Sequence, residues 1–391
     1  MRIALLGYGT VGRAVRGIVE ARCAGTIEVA AILRRPGKCD EPCMTDSFED
    51  IASDPSIDAV VEVMGGIEPA RTYILASLKA GKHVITANKA VVAEHIDQFA
   101  AAAEAGGAHL YVEACVGGGI PWIANLVRAA RIDAVESFSG ILNGTSNYIL
   151  DRMYREGADF AEVLADAQAL GYAEADPSVD IDGIDVRNKA VISACVAFGC
   201  RCRADVPTLG IRRLGLSVMR SAEKLGFAVK LMAHGRAEGG RYAVAVMPTL
   251  VPAGSIEAAV SANFNVASLV GATIGELKFY GQGAGGDPTG NAVVQDLIDC
   301  HEGLGRSYAL GRKLAWDPSL LASGAVAFLD GPAAEGALPE SAEQLAPGVW
   351  SVPSATPEEV VALDRALVAL DPAAFVAYVA PGARLEEVSH G

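Results

Sequence analysis

Asp185 and Lys189 stand four residues apart at the start of an apolar run, so a helix there would carry both on one face. A carboxylate beside an amine can hold a substrate ammonium and move a proton. The pair closes the stretch 171–189, GYAEADPSVDIDGIDVRNK, in which Glu174, Asp176, Asp180 and Asp182 precede it. Asp182 has the position of a helix N-cap, with Asp185 in the first turn. The same pattern also describes a solvated helix start with a surface ion pair, which contributes little.

A second set of residues is suited to phosphate. Gly7-Tyr8-Gly9-Thr10-Val11-Gly12 follows the apolar run 2–6 and precedes helical spacing over 13–23. Strand, G-x-G-x-x-G, helix is the dinucleotide-binding arrangement. Gly7 permits the tight turn, Gly9 lets the backbone approach a pyrophosphate, and Gly12 lets helix and strand pack closely. The helix N-terminus, with Thr10 and Val11, faces the phosphates. The second strand, 27–33, ends at Arg34-Arg35, with Lys38 nearby. An acidic residue there would bind the ribose 2′-OH of NAD; arginine suits the 2′-phosphate of NADP. The alternative is a solvated basic loop. Cys115 lies in a Gly-rich region and could act as a nucleophile. The other seven cysteines read as reduced, mostly buried thiols, since no C-x-x-C occurs and no histidine flanks them at zinc spacing.

These residues need scaffolds. At 391 residues the chain exceeds one small core, and two or three domains are expected. A formal net charge of −15 argues against nucleic acid or an anionic membrane as the main partner. No apolar run reaches transmembrane length, and the N-terminus passes straight into glycines, so a cytoplasmic protein is expected. Strands over 58–64, 83–87 and 109–116 alternate with helices over 69–80 and from Lys89 to 105. That predicts an α/β, Rossmann-type parallel sheet over 1–130, completed by a helix over 291–312. Gly65, Lys89 and the segment 113–119 then share the crevice at the carboxyl ends of the strands. A strand over 135–142, a helix opened by Asn143, a capping box at 159–162 and β signal over 228–279 predict a second, α+β domain, 131–290. One face of its antiparallel sheet is available to a second subunit. A second Gly-rich loop, 279–288, contains Gly285. The segment 316–391 reads as a small appendage, with short strands near 349–352 and 375–379.

Six stretches, in order, resemble homoserine dehydrogenase: GYGTVG (7–12), TANKAVVA (86–93), EACVGGGIP (113–121), GILNGTSNYIL (140–150), LGYAEADPSVDIDGIDVRNKAVI (170–192) and FYGQGAGGDPTGNAVVQDLI (279–298). The resemblance implies interconversion of L-homoserine and L-aspartate 4-semialdehyde with NADP or NAD, on the route to threonine and methionine. It makes Lys189 the proton-transfer residue and Glu174, Asp185 and Asp180 the substrate-binding acids. Lys89 becomes a second active-site lysine and Thr145 a substrate-side residue. Glu113, Val116 and Gly118 match a monovalent-cation site, expected to take sodium, although Glu113 equally suits a helix-dipole or hydrogen-bonding role. The family is usually a dimer or tetramer joined through the antiparallel sheet. Ser146, where threonine is common, and Gly118, where alanine is frequent, depart without removing a reacting group. Many members carry an ACT regulatory domain; its D-x-P-G-V-L opening is not found in 316–391, which argues against threonine inhibition. The competing readings are a semialdehyde dehydrogenase acylated on Cys115 and a nucleotide sensor without turnover.

Overall fold

The structure is a computed structural model that describes residues 1–305 and 308–385. It divides into two compact units. The first comprises Met1–Ile132, Cys195–Ala204 and Gly281–Arg312; the second comprises Asp133–Ala194, Asp205–Tyr280 and Lys313–Gly391.

The first unit holds six parallel strands: β1 (Arg2–Leu6), β2 (Glu28–Leu33), β3 (Met44–Thr45), β4 (Ala59–Glu62), β5 (His83–Thr86) and β6 (Leu110–Tyr111). Their spatial order is β3-β2-β1-β4-β5-β6. That is the doubly wound order, which reverses between β1 and β4 and leaves a crevice beyond their carboxyl ends. The apolar runs in β1 and β4 are buried, as helices on both faces require. Two elements were not anticipated: β3 and the helix Phe48–Ser53, both too short for a period to register. The expected strand over 109–116 is cut to two residues, because Glu113–Cys115 turns into a 3-10 helix.

The late helix is Gly286–His301 rather than 291–312; residues 306 and 307 of that expectation lie outside the described ones. It packs on the helix Thr10–Arg22 through small residues. A Cβ at Gly290 would stand 2.9 Å from the Ala14 Cβ and 3.3 Å from the Ala14 carbonyl carbon. Gly290→Val should therefore lower stability by about 1–3 kcal/mol through overpacking. A urea midpoint unchanged from wild type would contradict this contact.

The second unit is built on β7 (Val135–Ile141), β8 (Phe227–Glu238), β9 (Arg241–Pro252), β10 (Phe264–Gly271) and β11 (Gly275–Gln282). Five further strands extend the sheet: β12 (Ala315–Trp316), β13 (Ser323–Phe328), β14 (Glu343–Ala346), β15 (Val349–Ala355) and β16 (Phe375–Val379). The order is β11-β10-β7-β8-β9-β16-β13-β15-β14, with β12 on β9. β7, β8, β9 and β10 are antiparallel, as the sequence suggested, but β16 joins β9 in parallel, so the whole sheet is mixed. β8 and β9 turn at Gly239-Gly240, both at positive φ, which a two-residue hairpin needs. The tail is no loose appendage. Its order β16-β13-β15-β14 is that of a split β-α-β-β-α-β module, with the first helix reduced to the 3-10 turn Pro332–Ala337. Its remaining helix, Pro357–Val368, opens on a Thr356/Glu359 capping box and is tied down by Arg213, 2.6 Å from Asp364. Among the described residues, no helix is long and apolar enough to cross a membrane.

Candidate active site

At the crevice of the first unit, each motif glycine has a distinct task. Gly7 has φ +104°, and an added Cβ would lie 2.9 Å from the Val63 carbonyl oxygen. At Gly12 it would lie 2.4 Å from the Gly7 carbonyl oxygen, whereas Gly9 faces open space. The backbone at Gly9 can thus be approached by a pyrophosphate while Gly7 and Gly12 hold strand, turn and helix together. Beside them is a cleft of about 680 Å³ lined by Tyr8, Arg34, Arg35, Lys38, Met64 and Tyr73 among others. Thr10 opens the helix Thr10–Arg22, which includes Val11.

Tyr8 is a residue the motif reading passed over. Arg34 lies 5.4 Å from its ring centroid, Arg13 5.5 Å and Arg16 5.7 Å. Arg16 also donates to the Tyr8 hydroxyl and pairs with Glu20 and Glu41. The ring is therefore a platform on which Arg34 rests at the end of β2. An aromatic between the first two glycines, with arginines at 13, 16 and 34, was the available signal.

Glu62, also unforeseen, is fully buried at the end of β4. Burial raises its pKa, against the bonds it accepts. Those come from the Thr86 hydroxyl (2.7 Å), the Met64 N–H (2.8 Å) and the Asn88 amide (3.4 Å). Asn88 donates as well to the Gly66 carbonyl and caps the helix Lys89–Gly106. One carboxyl thus fixes the turn with Gly65 (φ +80°) and the turn that presents Lys89, which is half-buried.

Glu113 accepts from the N–H groups of Ile123 (2.9 Å) and Ala124 (2.7 Å), at the N-terminus of the helix Trp122–Ala129. Its hydrogen-bonding role at a helix dipole is thus explicit. The Gly118 turn (φ +57°) packs on the second Gly-rich loop, where a Cβ would lie 2.5 Å from the Gly283 carbonyl carbon. Gly119 donates to the Gln282 carbonyl oxygen, and Gly285 (φ +126°) opens the helix Gly286–His301. Among the described residues no group of three His, Cys, Asp or Glu side chains could hold a metal ion. A cation here would need backbone oxygens, such as those of Val116 and Gly118, beside Glu113. Such an all-oxygen donor set suits a hard ion. Cys115 is fully enclosed and donates to the Thr86 carbonyl. Burial, then the nearby Glu62 charge, pushes its thiol well above the ordinary value. That is the reverse of what a reactive thiolate needs.

In the second unit the acid–lysine pair is real and buried. Lys189 Nζ lies 2.8 Å from Asp185 Oδ2 on the helix Ile184–Phe198, both side chains less than a tenth exposed. Nζ also donates to the Leu142 carbonyl oxygen at 2.6 Å. The surface ion pair is thereby excluded. Asp182 is not the cap: it ends the short helix Ser178–Ile181 and takes a bidentate bond from Arg212, while Gly183 (φ +79°) makes the corner. Asn143 caps the helix Gly144–Glu156 and donates to Asp180 (2.7 Å) and Asp185 (2.8 Å). Thr145, two residues on, donates to the Tyr172 carbonyl (2.6 Å). Glu174 is exposed on the same turn, held through its backbone carbonyl by Gln168. The expected capping box at Asp159 is a single bond to the Ala161 N–H.

The homoserine dehydrogenase family model matches residues 121–298, and the model of that family's NAD-binding domain matches 7–113. The chain is 43% identical over 315 residues to the homoserine dehydrogenase of Synechocystis, covering 76% of this chain and 73% of that one. It is 42% identical over 315 residues to that of Corynebacterium glutamicum, with 76% and 71% covered. The solved homoserine dehydrogenase of Thiobacillus denitrificans superposes with a TM-score of 0.83 at 31% identity, covering 97% of this chain and 98% of that one. A hyperthermophilic archaeal homoserine dehydrogenase mutant in complex with NADPH superposes with 0.65 at 25% identity, covering 76% and 96%. With a dinucleotide crevice in one unit and a buried acid–lysine cluster in the other, the chain belongs to the homoserine dehydrogenase family.

Proposed function

We propose that in this homoserine dehydrogenase Lys189 is the proton acceptor for homoserine oxidation and the donor in the reverse reduction of L-aspartate 4-semialdehyde. A bound nicotinamide cofactor supplies the hydride chemistry at the alcohol carbon. The hydroxyl proton goes to the lysine amine, which must be neutral to receive it. The observation that carries this reading is the buried Nζ, steered by the Leu142 carbonyl and able, once protonated, to rest against Asp185. Asp180, Asp185 and the exposed Glu174 offer negative charge to the substrate ammonium. Thr145 steadies the turn that bears Glu174. Lys89, at a helix start fixed by the Glu62–Asn88 network, is the proposed second active-site lysine.

NADP is the proposed cofactor, with Arg34 on its Tyr8 platform and Arg35 beside the 2′-phosphate. Sodium is the proposed cation, held by Glu113 and the carbonyls of Val116 and Gly118, where it would organise the Gly-rich turn. The enzyme is proposed to act in the cytoplasm as a homodimer or homotetramer. The test is absorbance at the nicotinamide band with aspartate semialdehyde and NADPH or NADH. NADPH should be consumed, and Arg34→Ala with Arg35→Ala should weaken NADPH use by at least about 10-fold while sparing NADH, since each charge-assisted bond to phosphate contributes about 1.5–3 kcal/mol. Folded, cofactor-binding protein that consumes neither would sink the reading and favour a sensor.

A further inference from the structure

We infer that Asn143 is a positioning residue for this reaction: its one side-chain amide holds Asp180 and Asp185 together and aims Asp185 at Lys189. The inference rests on the role proposed for Lys189. Asn143 is buried, and both of its amide hydrogens are engaged, one on Asp180 Oδ1 (2.7 Å) and one on Asp185 Oδ2 (2.8 Å). Its oxygen accepts from the Ser146 N–H at 2.7 Å. The residue therefore spends its polar groups on the protein, not on a ligand.

The geometry serves two ends. Two carboxylates 37 and 42 residues downstream in the chain are drawn to a single nitrogen, where their charges would otherwise repel. Charge-assisted donation from a neutral amide offsets that repulsion without adding a cation. Asp185 Oδ2 is shared between Asn143 and Lys189, at 2.8 Å each, so rotation of the carboxylate away from the amine would break the amide bond as well. The residue before Asn143 completes the clamp, since the Leu142 carbonyl receives the lysine. The dipeptide Leu142-Asn143 thus fixes both partners of the pair. It is itself fixed by being the junction of β7 and the helix Gly144–Glu156.

A purely structural role, helix capping, predicts something different. Serine and aspartate are caps as good as asparagine, so Asn143→Ser and Asn143→Asp would then behave as wild type. Positioning predicts that Asn143→Ser loses about 10²-fold in kcat/KM, the scale of an ångström's misplacement at a reacting group. It predicts that Asn143→Asp loses more, because a third carboxylate faces Asp180 and Asp185. The activity of Asn143→Asp relative to wild type at the same pH should rise as pH falls, since the introduced carboxyl, once protonated, again donates one bond. The charged groups facing it are Asp180, Asp185 and, through Asp185, Lys189. Both variants are assayed for homoserine oxidation beside wild type, with circular dichroism and NADPH binding as folding controls. Folded variants within about threefold of wild type, with a parallel pH profile, would overturn the inference, being far short of the loss expected from misplacement. If the aspartate variant does not fold, the uncharged serine variant decides. Inactive but folded wild type would instead refute the reaction assigned to the site.

Discussion

Lys189→Met should lower kcat for homoserine oxidation by about 10²–10⁴-fold, the usual contribution of a positioned acid or base. NADPH binding should survive, because the Gly7–Gly12 turn and the Arg34 cleft are built within the first unit. Methionine matches the lysine stem in bulk and cannot carry a proton. Lys189→Arg is the sharper probe. It keeps the positive charge beside Asp185 but a guanidinium does not give up its proton at working pH. If Lys189 merely neutralised Asp185, the arginine variant would remain active. If it moves a proton, both variants fail, with the homoserine KM changed far less than kcat. Activity of either variant within about 10-fold of wild type would remove Lys189 from the chemistry.

What the sequence disclosed about this site followed from locality. The 3.6-residue period is enough to put Asp185 and Lys189 on one face, and a helix must present them so. G-x-G-x-x-G between a strand and a helix is a local signal too, since Gly12 answers to the Gly7 carbonyl within the same β-turn-α unit, although Gly7 itself meets the Val63 backbone beyond β4. Burial was another matter. Whether the pair is wet or dry depends on Leu142 and Asn143, more than forty residues upstream, and no periodicity spans that distance. Asn143 itself was legible as a helix opener because capping is local, while its second use, on two distant carboxylates, was not. Asp182 misled for the same reason: acidic residues before an apolar run look like caps, but a salt bridge with Arg212 claimed it and Gly183 made the turn. In the tail the strands near 349–352 and 375–379 were legible and correspond to β15 and β16, whereas β13, buried over its last four residues, was not. Strands covered on both faces read as apolar runs and lose the alternation that marks a half-buried one. Glu62 and Tyr8 show the limit from the other side. A lone acid in an apolar strand and an aromatic in a glycine loop carry no pattern until their partners at Asn88 and Arg34 are in place.

The same burial yields the largest stability effect expected here. Asp185→Ala should cost about 3–5 kcal/mol, because it takes the carboxylate from beside the Lys189 ammonium in an enclosed site. It also takes the acceptor from one amide hydrogen of Asn143, a buried donor whose loss of that bond adds to the penalty. Salt should not rescue the variant, since charges sealed from solvent are screened little. The double variant Asp185→Ala/Lys189→Met tests the reasoning. Removing both charges takes away the buried ion as well as its partner, so the double variant should be more stable than Asp185→Ala alone, which no sum of independent losses allows. Urea unfolding of wild type, both single variants and the double gives the coupling directly. An Asp185→Ala penalty below about 1 kcal/mol, the range of exposed pairs, would mean that the pair is solvated in solution. The enclosed acid–lysine pair on which the proposed proton transfer rests would then be absent.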